Sequence, residues 1–146
     1  MTQTAAPRLI AAVAPHSMVL EVPPADPQTA RGHYAAKLAV ETDPSDVHHD
    51  LMSGVPGLVV ADVRPPEAYA EGHVAGAVNL HYRGLDEEST AHLSRDAVYV
   101  VYCWDPGCNA GAKGAQRLAE LGFRVKEMIG GFEYWKRNGY PIEIGR

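Results

Sequence analysis

The chain has 146 residues, 46% of them hydrophobic and 21% charged, with a formal net charge of -5 and two cysteines. That length fits one domain able to bury a core without staples. The acidic balance argues against nonspecific nucleic-acid binding, which needs a basic surface, and no apolar run approaches a membrane span. Two cysteines close together in a glycine loop make a disulfide framework unexpected, so a reducing, cytoplasmic setting is the expectation.

The apolar patch Leu9 to Ala14 is too short for a secretory leader and follows a single arginine, Arg8. Residues 1–27 read as a separate N-terminal arm, extended or loosely ordered around the proline-rich Val22 to Gln28. Two readings stay open for it: a free tail, or an arm packed on the domain or on a second subunit to make a homodimer. Within it, Met18 to Val22 has the composition of a short strand.

Residues 28–146 form the domain. A helix is expected from Gln28 through Lys37, then a short strand in "LAVET" (38–42). "TDPSDVHHDLMSG" (42–54) reads as a helix with Asp43 as N-cap, Pro44 in the first position and Gly54 at its end. "GLVVADVR" (57–64) is a buried strand, "PPEAYAEG" (65–72) a helical turn and "GAVNL" (76–80) another strand. "DEESTAHLS" (86–94) reads as a helix whose acidic start, Asp86 to Glu88, suits the helix dipole. "AVYVVYC" (97–103) is a strand, "AGAKGAQRLAELG" (110–122) a helix, "FRVKEMIGG" (123–131) a strand and "FEYWKRNGYP" (132–141) a last helix. Alternating strands and helices imply an α/β sheet covered on both faces, with any active site at the carboxyl ends of the strands.

The strand ending in Tyr102 delivers Cys103 to that edge. A cysteine between a strand and a helix N-terminus faces backbone N–H dipoles that lower a thiol pKa, and Gly107 and Gly111 would let amides approach its sulfur. A buried structural cysteine is the competing reading.

"VVADVRPPEAYAEGHVAGAVNL" (59–80) resembles the first block of the rhodanese-like family: a strand, D-x-R, E-x-Y/F and G-H-I/V-x-G-A-x-N. "VYVVYCWDPGCNAGAKGAQRLAELGFRVKEMIGGFEYWKRNGYP" (98–141) resembles the second, with a strand ending in Y-C, a helix, a strand ending in G-G and a W-x-x-x-x-x-P helix. The resemblance covers about residues 34–144 and implies the rhodanese-like fold, a mostly parallel five-stranded sheet with helices on both faces. It implies a sulfurtransferase in which Cys103 accepts sulfane sulfur from a small donor and passes it to a thiol or protein acceptor. The loop Trp104, Asp105, Pro106, Gly107, Cys108 and Asn109 would cradle the persulfide, with no metal or organic cofactor. Asp62 and Arg64 would support the loop structurally, and His73 would fix a turn.

This chain departs from the family's Y-C-x-x-G-x-R-S loop. Cys108 stands where the arginine would, Gly107 is one place late, and Asp105 is the only charged residue between Cys103 and Asn109. Without that arginine a tetrahedral oxyanion cannot be held bidentately, which argues against a phosphatase and weakens the case for thiosulfate. Arg64, Lys113 and Arg117 are candidates to compensate. Cys108 is either a resolving thiol able to attack sulfur on Cys103, or a small residue filling the turn. The second is preferred, because a strand end and a helix start need not face each other. Trp104 is expected to wall the pocket and Trp135 to sit in the core. His48 and His49, adjacent on a helix, diverge too far to share a metal. The rival function is a non-catalytic rhodanese-like module that binds a partner or senses redox state through Cys103 and Cys108.

Overall fold

The computed structural model describes residues 2, 4–6 and 14–146. Apart from Ala14, the apolar patch Leu9 to Ala14 lies outside the described residues. Residues 14–26 contain no helix or strand and are exposed. Met18 to Val22 is not the strand expected from its composition. It is a run of bends and turns, held locally by Leu20 N–H donating to Ser17 Oγ at 3.2 Å.

Helix α1 (Pro27–Val40) starts at Asp26, whose carboxylate accepts Thr29 N–H at 3.0 Å, and has proline in its first turn. It runs further than expected. Leu38 to Val40 stay helical, and the "LAVET" strand shrinks to β1 (Glu41–Thr42). The good helix formers Ala35 to Leu38 outweigh the single β-branched Val40. In α2 (Pro44–Met52), Asp43 caps Asp46 N–H at 2.8 Å. Next come β2 (Leu58–Asp62), α3 (Pro66–Glu71), β3 (His73–Val74), β4 (Val78–Asn79) and a 3-10 turn at Tyr82–Gly84.

Asp86 to Ser94 is turn, not helix. Ser89 and Thr90 hydroxyls donate to the Gly84 and Asp86 carbonyls, and Asp86 Oδ1 accepts Ser89 N–H at 2.7 Å. These short side chains compete for backbone partners and keep a helix from propagating. The chain closes with β5 (Val98–Tyr102), α4 (Ala110–Glu120), β6 (Arg124–Met128), α5 (Gly131–Arg137) and β7 (Ile142–Glu143).

Five parallel strands form the sheet in the order β1-β6-β5-β2-β4, and β3 pairs with β7 antiparallel as a separate ribbon. Alternation along β5 sends Tyr99, Val101 and Cys103 into the core under α4, with Ala61, Val63, Leu118 and Phe123. Val100 and Tyr102 enter the opposite core with Val47, Met128, Phe132 and Trp135. Cys103 thus leaves the middle strand at its carboxyl end, with its side chain on the α4 side.

Candidate active site

Two carbonyls fix the start of the loop after β5. Phe132 N–H donates to Cys103 O and Glu133 N–H to Trp104 O, each at 2.8 Å. The otherwise orphaned first-turn amides of α5 therefore bind the cysteine loop. The close approach requires Gly131, which has φ +66° and no room for a side chain.

The loop then folds on Asp105. Its Oδ1 accepts Gly107 N–H at 2.7 Å, and its carbonyl accepts Cys108 N–H at 3.1 Å. Those two amides are engaged within the loop, although the sequence led us to expect them around the sulfur of Cys103. Gly111 likewise has a different role from the expected one: a Cβ there would run into the Glu127 carboxylate.

Cys103 and Cys108 form a disulfide, with Cα atoms 6.5 Å apart, inside the usual range for a bridge. This corrects two expectations. The cysteines do pair, and Cys108 is not a filler turned away from the strand-end sulfur. The Asp105 turn curls the loop back so that residue 108 returns over residue 103.

The pair lines a cavity of about 180 Å³ with Asp105, Pro106, Glu127, Met128, Ile129, Gly130 and Gly131. Among the described residues, no Lys, Arg or His lines it. Glu127 was missed in the sequence, because in the strand Arg124–Met128 it is one of three charged residues, with Arg124 and Lys126, and nothing local sets it apart. It stands in register with Glu41 of β1. Burial, and then the Glu41 carboxylate, raise its pKa above the ordinary glutamate value. Beside this cavity lies an apolar hollow of about 370 Å³ that shares Pro106, Ile129 and Gly130 with it.

The cations considered as substitutes for the loop arginine do not line the cysteine cavity. Arg117 donates from Nε to Leu85 O at 2.9 Å and pairs with Glu120. Lys113 lies further along α4 and is exposed. Arg64 is 1% exposed and bound to Asp62, with Nη2 2.6 Å from Oδ2 and also 2.6 Å from Gly72 O. Its guanidinium lies between the rings of Trp104 and Phe132, 4.4 and 4.5 Å from their centroids. Trp104 is therefore drawn to the opposite side and lines a separate hollow of about 210 Å³ with Arg64, so it does not wall the cysteine cavity.

Asp62 is wholly buried and also accepts from Tyr102 Oη at 2.8 Å, while that oxygen accepts Val74 N–H at 3.0 Å. Burial, with the Asp62 carboxylate beside it, pushes the Tyr102 pKa far up and keeps the phenol protonated. His73 stacks on Tyr69 at 3.6 Å, with Nδ1 2.7 Å from Tyr69 O. His48 stacks on Tyr140 and His49 is exposed, so the two diverge. Trp135 is 1% exposed, in the core. A larger cavity of about 380 Å³ opens near the amino ends of β2 and β5 and contains no cysteine. Among the described residues, no helix is long and apolar enough to cross a membrane.

Comparisons with known proteins agree with this fold. Thiosulfate sulfurtransferase 16, chloroplastic, of Arabidopsis thaliana is 32% identical over 112 residues, covering 66% of this chain and 88% of its own. Thiosulfate sulfurtransferase GlpE of Pseudomonas entomophila is 40% identical over 95 residues, covering 62% of this chain and 80% of its own. The crystal structure of the BH2092 protein from Bacillus halodurans superposes with a TM-score of 0.79 at 43% identity, covering 82% of this chain and 87% of that one. The family model for the rhodanese-like domain matches residues 44–138, and with the five-stranded parallel sheet and the cysteine at the end of its central strand, the chain belongs to the rhodanese-like domain family.

Proposed function

We propose that the chain is a sulfurtransferase that moves sulfane sulfur from a donor, thiosulfate or another persulfide source, to a thiophilic acceptor through a persulfide on Cys103. The carrying observation is the position of Cys103. It stands at the carboxyl end of the central strand, in a cavity, on a loop whose first carbonyls are bound by α5. The names of the thiosulfate sulfurtransferase relatives support the same reading.

In the reduced protein the Cys103 thiolate attacks the donor's sulfane sulfur. The new Sγ–S bond forms as the donor's bond to that sulfur breaks, and the donor leaves with the electron pair. The acceptor nucleophile then attacks the outer sulfur and Cys103 leaves as thiolate. Such double displacement needs no metal or organic cofactor. It needs Cys103 released from Cys108, which fits a thiol-rich compartment such as the cytoplasm. A cavity lined by Asp105 and Glu127 and, among the described residues, by no cation repels a dianion, so an uncharged or protein-borne persulfide suits it better than thiosulfate. The neighbouring apolar hollow could hold the body of such a donor.

Intact mass spectrometry of the reduced chain after donor treatment is the test, and a one-sulfur adduct that maps to Cys103 is expected. No adduct with thiosulfate, mercaptopyruvate or a small persulfide, at normal thiol reactivity, would leave the rival reading. That rival, a non-catalytic redox-responsive module, is favoured by one observation, the Cys103–Cys108 pairing.

A further inference from the structure

The disulfide joins residues only five apart, within one loop between β5 and α4. It ties no distant elements together, and the Asp105 turn already closes the same loop. As a staple it adds less than a bridge between distant elements would, since the gain from a cross-link grows with the length of chain it closes. Its position is chemical. The second sulfur stands within bonding reach of the strand-end sulfur, just ahead of the N-terminus of α4, where the helix dipole favours a thiolate.

We propose that Cys108 resolves the Cys103 persulfide within the chain, expelling hydrogensulfide and leaving the Cys103–Cys108 disulfide, which a dithiol then reduces. This rests on the reading that Cys103 accepts sulfane sulfur. Cys108 thiolate attacks Cys103 Sγ, the Sγ–Sγ bond forms, and the bond from Cys103 Sγ to the added sulfur breaks. That sulfur leaves as HS⁻ with the electron pair and its own proton. A small or protein dithiol next exchanges with the disulfide, is itself oxidised, and restores both thiols. Over the cycle one persulfide and one dithiol become one thiol, one hydrogen sulfide and one oxidised dithiol. The chain is then a persulfide reductase as well as a carrier.

The cavity suits this outcome. It leaves room beside the cysteines for an added sulfur. Its two carboxylates, with no cation among the described residues that line it, disfavour the sulfide anion there. In a pure carrier a partner thiol at this distance is a defect, because it discharges the persulfide before an acceptor arrives.

The test uses the full chain, reduced and freed of reductant, mixed with glutathione persulfide. Sulfide is followed colorimetrically and the protein by intact mass, with Cys103→Ser as the background. The wild type is expected to release one sulfide per chain and to end as the disulfide, and then to turn over when dithiothreitol is supplied. Cys108→Ser and Cys108→Ala are expected to hold the Cys103 persulfide, with sulfide release at least tenfold slower. If both variants gain a sulfur and the wild type holds its persulfide as long as they do, the proposal is overturned and the transferase reading stands. If none of the chains gains sulfur while Cys103 alkylates normally, the transferase reading falls and this proposal with it.

Discussion

Gly131 lies against the backbone of Cys103: a Cβ built on the glycine would stand 2.7 Å from the Cys103 carbonyl oxygen and 2.8 Å from the Trp104 carbonyl carbon. The glycine lets α5 close on the cysteine loop and donate its first amides there. Gly131→Ala forces either the loop or the helix to move, and adds a positive φ that L-residues disfavour. The expected loss is more than about 2 kcal/mol in urea unfolding, with slower persulfide loading of Cys103. Gly139→Ala is the control, because Gly139 has a similar φ of +71° and open space around its Cβ position. It is expected to cost only about 1 kcal/mol and leave loading unchanged. Equal losses at the two sites would mean that the contact with Cys103 does not matter.

The buried Asp62–Arg64 pair predicts asymmetric losses. Asp62→Ala strands a guanidinium that is 1% exposed, and a cost of about 3–5 kcal/mol is expected. Tyr102→Phe removes one donor to Asp62 and one acceptor for Val74 N–H, for about 1–3 kcal/mol. Because Tyr102 acts through Asp62, the double variant should lose less than the sum, measured as a double-mutant cycle by chemical denaturation. Additive losses would show that the network is not coupled.

Glu127 predicts a pH-dependent gain. Burial and Glu41 raise its pKa in the folded chain, so the native state holds this proton more tightly than the unfolded chain does. Stability from this group is fully present below the unfolded pKa of about 4.3 and is lost as pH rises through the higher folded value. Glu127→Gln imitates the protonated form. It is therefore expected to be more stable than the wild type by under about 1 kcal/mol at about pH 8, the site being half exposed, and equal to it near about pH 3.5. Urea midpoints at the two pH values check this, and a gain that persists in acid would contradict it.

The parts of the fold that could be read from the sequence are those whose signals are local. "VYVVY" has the apolar run of a buried strand, and Asp43–Pro44 announces a helix start. The misreadings have physical causes. Ser89 and Thr90 turn their hydroxyls onto the backbone and end a helix that composition favours. The β3–β7 ribbon joins His73 to Glu143, a pairing no local pattern predicts. The same division runs through the site. Cys103 stood out because its strand ends in the family's Y-C, although the loop that follows departs from the family pattern. Its approach to Cys108 depends on how Asp105 folds the loop, and Glu127 reaches the cavity only because β6 lies beside β5 and β1.

Donor choice gives the last prediction. Asp105 is a loop carboxylate in the cysteine cavity, and no cation among the described residues lines that cavity to offset it. Thiosulfate carries two negative charges to this site and an uncharged persulfide carries none, so removing the Asp105 charge should act on one donor only. Asp105→Asn keeps an amide oxygen to accept the Gly107 N–H, which preserves the turn. The expected result is a shift of at least about fivefold in the ratio of kcat/KM values toward thiosulfate, as each of the dianion's two charges a few ångströms from a carboxylate in high dielectric is worth up to about 1 kcal/mol. The shift should shrink as salt rises toward 1 M, where the Debye length falls to about 3 Å. Steady-state assays with both donors, at low and high salt, read it directly. A ratio that does not move, or moves equally at every ionic strength, would mean that something other than charge sets the donor.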